Sequence, residues 1–131
     1  MQTIDQKRAK KAYEIVETIV KLPDTDKKKT KFKTLALKFP SMVMQCGVLQ
    51  ALAYCMQKDA SESSSGVFDK LSVWLTPLLP DIPGNLSIVE KLAAEGVTIW
   101  HYQMVTREAI AFGAWLKRAA ATLLTDVETN E

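Results

Sequence analysis

Histidine is nearly missing from this chain. Among its 131 residues there is one, His101, so one copy cannot assemble a multi-histidine metal site or a helical His-x-x-x-His pair. Glycine is scarce as well. The five glycines stand singly, which removes the phosphate-cradling loops built on clustered glycines. The two cysteines, Cys46 and Cys55, lie in one apolar segment. On a helix they would sit about 180° and roughly 13 Å apart, so no disulfide joins them, and both read as buried free thiols of a reducing compartment. Long apolar runs are absent too. Met42 to Met56, the most apolar stretch, is too short to span a bilayer and is interrupted by Gln45, Gly47 and Gln50. The opening MQTIDQKRAKKAYE has no signal-peptide core. On these features the chain is expected in the cytoplasm and off the membrane.

Other chemistry fails on spacing. Ser63, Ser64 and Ser65 are consecutive, with no base suggested near them. Glu90 and Glu95 would be offset by about 140° on a helix and do not converge. No catalytic residue, metal site, cofactor or small-molecule substrate is expected.

What is present is helical periodicity. Apolar residues make up 47% of the chain and charged residues 24%, enough for a real core in one domain over residues 1–131. Period 3.6 dominates, which predicts an all-α, compact single-domain bundle of about six helices. The first runs from about Gln2 to Leu22, stopped by Pro23. Ala9, Ala12, Tyr13, Val16, Ile19 and Val20 form its buried face, and Lys7, Arg8, Lys10 and Lys11 fall outside it. The second starts after a Thr25 or Asp26 cap and ends near Phe39.

Pro40 suits the first turn of a third helix that continues to about Lys58. That helix is apolar nearly all round, so it is expected to be central and largely buried, with Gly47 marking a close crossing. A fourth follows the SESSSG loop, from about Val67 to Leu79, and is bounded by PDIPG. A short fifth covers Leu86 to Glu95, capped by Asn85 or Ser87. The last runs from roughly Thr98 to Leu124, with a seam of Val105, Ala109, Phe112, Leu116, Ala119 and Leu123 and with Trp115 beside it. Residues 125–131 read as a frayed tail.

Charge is unevenly distributed. Net charge is only +2, yet residues 1–38 hold eleven Lys/Arg against five acids, and the remainder holds six against ten. The stretch TDKKKTKFKTLALKFP alone carries six lysines and one acid. Lys27, Lys31, Thr34 and Lys38 share one side of the second helix. Arg107 and Arg118, eleven apart, nearly eclipse one another outside the last helix's seam. Such one-signed clusters are either a solvated face or an anion-binding one, and the residues alone leave both open. Nucleic acid ranks above membrane, because no segment pairs these lysines with exposed aromatic anchors. A helix-turn-helix reader is excluded, since its recognition helix would be SMVMQCGVLQALAYCM, which has almost nothing to offer base edges.

Three pieces, in order, also carry a family likeness: RAKKAYEIV, then KFKTLALKFPSMVMQCGVLQALAYCMQK, then TREAIAFGAWLKRAAATLL. Together they resemble the small subunit of the type III-B (Cmr) CRISPR effector complex, over most of Arg8 to Leu124. The resemblance implies a non-catalytic helical protein that stacks head to tail into an inner filament, with other Cmr subunits as partners. Its basic face would line the channel where target RNA pairs with guide RNA. Arg8, Lys11, Lys31, Lys38, Arg107, Lys117 and Arg118 then become the candidates for phosphate contact, and Lys27, Lys28 and Lys29 stay unassigned. The rival is a helical protein-interaction adaptor with no nucleic-acid contact, for which exposure of Trp74 and Trp100 would be the sign.

Overall fold

Thr3 opens the first helix. Its hydroxyl accepts from the Gln6 N–H at 3.1 Å, and the Gln6 side chain accepts from the Thr3 N–H at 2.7 Å, so two of the orphan donors at the helix end are satisfied. The helix that follows, α1, spans Ile4–Val20. The computed structural model describes residues 1–23, 27–60, 66–80, 82 and 86–129. Among these the regular structure is helical: α2 (Lys27–Cys46), α3 (Val48–Lys58), α4 (Val67–Leu75) with a 3-10 turn at Thr76–Leu78, α5 (Ile88–Leu92) and α6 (Ile99–Leu123). The expected Thr25 or Asp26 cap, the SESSS segment and Asn85 lie outside the described residues. No helix among those described is long and apolar enough to cross a membrane.

The buried face of α1 is Ala12, Ile15, Val16 and Ile19. Val20 is exposed, and Ala9 and Tyr13 are half-buried. The stripe is therefore rotated from the expected one toward Ile15, and Arg8, four residues before Ala12, falls on the packed side.

The boundary between the second and third helices also moves. Helix α2 passes through Pro40 and continues to Cys46, so the corner expected at Phe39–Pro40 does not exist. Pro40 cannot donate an N–H to the turn before it, yet the other backbone bonds and the packing of Phe39 and Val43 carry the helix on. The break comes at Gly47, with φ 86° and ψ 159°, a region open essentially to glycine alone. No close crossing accounts for this glycine, since a Cβ there would meet nothing within 4 Å.

The crossing glycine is Gly113 of α6, where a Cβ would come within 2.9 Å of the Phe39 ring. Helix α6 is the central one, packed chiefly on α2 and α1 and touching α4 as well. Val105, Ala109, Phe112, Gly113, Leu116, Ala119 and Ala120 form its buried face. The third helix does not hold the central place expected of it. It buries Val48, Ala51, Leu52 and Cys55 only, while Met44, Cys46 and Met56 in the same apolar stretch reach solvent. Cys46 is thus an exposed thiol, whereas burial, then the charge of Asp59, pushes the Cys55 thiol up to about 12.

The later helices begin on side-chain caps. Asp59 accepts from the Phe68 N–H at 2.9 Å, and only a glycine at 66 leaves room for its carboxylate. Ser87 and Glu90 form a capping box on α5, and the Thr98 hydroxyl accepts from the His101 N–H at the head of α6. At the other end of α6, Lys33 Nζ donates to the carbonyls of Leu124 and Val127 at 2.8 and 2.9 Å. A cation there satisfies orphan acceptors and complements the helix dipole. One lysine of the basic run is thereby committed to the fold.

Candidate nucleic-acid interface

Helix α6 carries one acid and three cations on 25 residues, and its two sides treat them differently. Glu108 turns toward α1 and α4. It accepts from Arg8 Nε and Nη2, both at 2.7 Å, and from Trp74 Nε1 at 2.8 Å. The Trp74 indole lies flat on Phe112, with ring centroids 4.5 Å apart and planes 8° from parallel. Asp5 completes the cluster by accepting from Arg8 Nη1 at 3.4 Å and from Trp115 Nε1 at 2.8 Å. A bidentate guanidinium–carboxylate pair, half out of water, thus clasps α1, α4 and α6 together. Burial pushes the Glu108 carboxyl up, but the hydrogen bonds from Arg8 and Trp74, with the Arg8 charge, outweigh it and hold it below the usual glutamate range.

Arg8, expected among the outward cations, is therefore engaged inside the molecule. Its side chain is only 17% exposed, and Glu108 raises its pKa above the ordinary arginine value. The signal for this was in the sequence: Arg8, Ala12, Ile15 and Ile19 recur at spacings of four, three and four. The acid partner, one hundred positions away, carried no local signal.

About 80–100° round the helix from Glu108, on the solvent side of α6, stand Trp100, Arg107 and Arg118, all exposed. Their spacings of seven and eleven residues bring them nearly into line, since eighteen residues make five turns. Lys117, also exposed, stands about 100° round the helix from Arg118. Among the described residues, no ion pair reaches Arg107, Lys117 or Arg118.

The remaining candidates sit on other helices. Lys11 is exposed and lines a groove of about 350 Å³ between α1 and α4, together with Ile4, Val73 and Lys70. Lys38 is exposed and lines a cleft of about 500 Å³ between α2 and α3, beside Cys46 and Tyr54. Arg107 borders a third depression, of about 360 Å³, against α1. Lys31 is half-buried on the same side of α2 as Lys38. So Lys11, Lys38 and Arg107 each border a different depression. Lys29 and Lys91 are nearly buried. Of the tryptophans watched as signs of a partner surface, Trp74 packs inward and Trp100 is 65% exposed. Among the described residues no group of His, Cys, Asp and Glu is placed to hold a metal ion.

An all-helical scaffold with Glu108 of α6 matched internally by Arg8 and with Arg107, Lys117 and Arg118 of the same helix exposed defines a class: a small all-α protein whose candidate chemistry lies on its surfaces. Comparison makes this specific. The profile of the CRISPR-associated Cas_Cmr5 family matches residues 4–123. A protein of Thermus thermophilus described as CRISPR system Cmr subunit Cmr5 is 30% identical over 125 residues, covering 95% of this chain and 98% of that protein. A crystal structure of a CRISPR-associated Cmr5 family protein from the same organism is similar with a TM-score of 0.65 and 28% identity, over 93% of this chain and 98% of the other. The chain belongs to the Cmr5 family, the small subunits of Cmr CRISPR complexes.

Proposed function

We propose that this chain is a non-catalytic small subunit of a type III-B RNA-guided effector in the cytoplasm. Copies of it stack into a filament beside the guide, and their cationic face holds the backbone of the target RNA. Family membership supports the place in the complex. The phosphate contact is supported by one observation above all: the outer side of α6 presents Arg107, Lys117 and Arg118 without a carboxylate, because the helix's only acid is turned inward and matched by Arg8. Lys11, Lys31 and Lys38 are further candidates on α1 and α2, with Lys11 and Lys38 beside depressions other than the one Arg107 borders. Arg8 acts differently, by positioning α1 against α6.

The mechanism is electrostatic and blind to sequence. Cations replace the counterions condensed on the strand, and Watson–Crick pairing with the guide supplies the specificity. Single contacts are weak, and stacked copies gain by avidity. The test is target capture by the assembled complex carrying Lys38→Ala, Arg107→Ala and Arg118→Ala together. Losing three contacts to a single strand lowers the slope of log K against log salt by about 2. An unchanged slope and affinity would refute the phosphate role.

A second reading, a helical adaptor without RNA contact, draws on the apolar groove between α1 and α4, where Ile4 is 55% and Val73 62% exposed. It requires target capture to be indifferent to these three substitutions.

A further inference from the structure

Trp100 is the one tryptophan this fold does not use internally. Trp74 is stacked and hydrogen-bonded to Glu108, and Trp115 donates to Asp5. Trp100, by contrast, is 65% exposed. It is nevertheless supported. His101 meets it edge to face, with ring centroids 5.2 Å apart and planes at 81°, and the imidazole Nδ1 lies 2.7 Å from the Thr98 hydroxyl at the helix cap.

Beside the indole lies the depression of about 360 Å³ lined by Gln103, Met104, Arg107 and Ala111, and closed by the Arg8–Glu108 pair. That volume is in the range occupied by small ligands. The only carboxylate in its wall is already answered by Arg8 and Trp74. What the site presents is an aromatic face, a thioether, an amide that both donates and accepts, and a guanidinium. Farther along the same line stands Arg118.

We propose that Trp100 is a stacking platform for a nucleobase of single-stranded nucleic acid. The neighbouring cleft receives the base, while Arg107 and then Arg118 take phosphates of the same strand. This rests on the phosphate-contact reading and adds a base contact to it. Stacking suits a sequence-blind surface, because every base has a π-face. It also requires an unpaired or splayed nucleotide, so the base held here is one outside the guide–target duplex. A protein partner would also be drawn to Trp100 and Ile99. The charge decides for nucleic acid, since the exposed ionised groups of this α6 face are all cations.

The experiment measures binding of the full chain at low salt to two strands of equal length, an oligoadenylate and an abasic ribose-phosphate polymer. Trp100→Ala should weaken oligoadenylate binding about tenfold and leave the abasic strand within twofold. Trp100→Phe should retain most of the affinity but abolish the quenching of tryptophan fluorescence by oligoadenylate. Arg107→Ala with Arg118→Ala should weaken both strands alike. If Trp100→Ala binds oligoadenylate as the parent does while the arginine pair does not, the platform is refuted and the phosphate reading stands. If the parent binds neither strand, both fall. If Trp100→Ala instead reduces self-association in sedimentation with its affinity for oligoadenylate intact, the residue belongs to a protein contact and the proposal is overturned.

Discussion

Arg107 and Glu108 are consecutive residues of α6, yet one faces solvent among other cations and the other is matched by Arg8 and Trp74. The difference is one of helical phase. A rotation of 100° separates a charge that stabilises the fold from one left available to a partner. The inner pair is shielded from solvent and fixed in geometry, so breaking it leaves a half-buried guanidinium with only the longer contact to Asp5. The outer cations make no such commitment, and their removal should barely register in stability. A basic surface is therefore not the same thing as a count of basic residues. Arg8 and Lys33 both belong to the count and both serve the interior.

The sharpest way to break this contrast is Glu108→Ala. It strands the Trp74 N–H and leaves Arg8 only its 3.4 Å contact with Asp5, and should cost about 2 kcal/mol in urea unfolding. A loss under 0.5 kcal/mol would mean that the clasp is ornamental and the two sides of α6 are alike. Acid provides the same test without a substitution. Because the folded carboxyl is held below the ordinary glutamate value of about 4.5, the clasp's contribution is complete above that value and fades as pH falls through the folded one. The parent should therefore lose stability faster than Glu108→Ala as pH drops below about 4.5, and parallel curves would refute the assignment.

A smaller effect is expected on the packed side at Gly113→Ala. Its methyl would press on the Phe39 ring. Overpacking outweighs the better helix propensity of alanine by about 1 kcal/mol, measurable as a lower melting temperature. The smallest effect belongs to the outer line. Arg107→Ala with Arg118→Ala should change stability by less than about 0.5 kcal/mol, leaving any loss of RNA capture free of an unfolding explanation.

Much of the architecture was legible in the sequence because caps and periodicity are local. Ser87, one of the two caps expected for the fifth helix, does cap α5, and α6 starts one residue after the expected Thr98, which is its cap. The seam of α6 from Val105 to Ala119 is buried as its period requires. The departures arise where a cause outside the local pattern decides. Pro40 reads locally as a helix start, but the packing of Phe39 and Val43 overrides it. Gly47 is required by its positive φ rather than by a close crossing. Gly113 carries no local signal, because its justification, the Phe39 ring, comes from a distant helix. Of the candidate interface, the alignment of Arg107 with Arg118 follows from their spacing alone. The spacing of Arg8 with Ala12, Ile15 and Ile19 puts Arg8 on the packed side of α1, but its partner Glu108, one hundred positions away, is not marked by any local spacing.

The placement of α6 at the centre has a consequence in time. Helices α1 and α2 bury their apolar faces chiefly against it and touch each other much less. More than fifty residues separate the end of α2 from the start of α6. At synthesis rates of about 5–20 residues per second, Phe32, Phe39 and Ile15 leave the ribosome several seconds before the helix that shelters them. The nascent chain must therefore stay unaggregated with its greasy sides uncovered, and the lysine-rich flanks of α1 and α2 are well suited to keeping such intermediates apart.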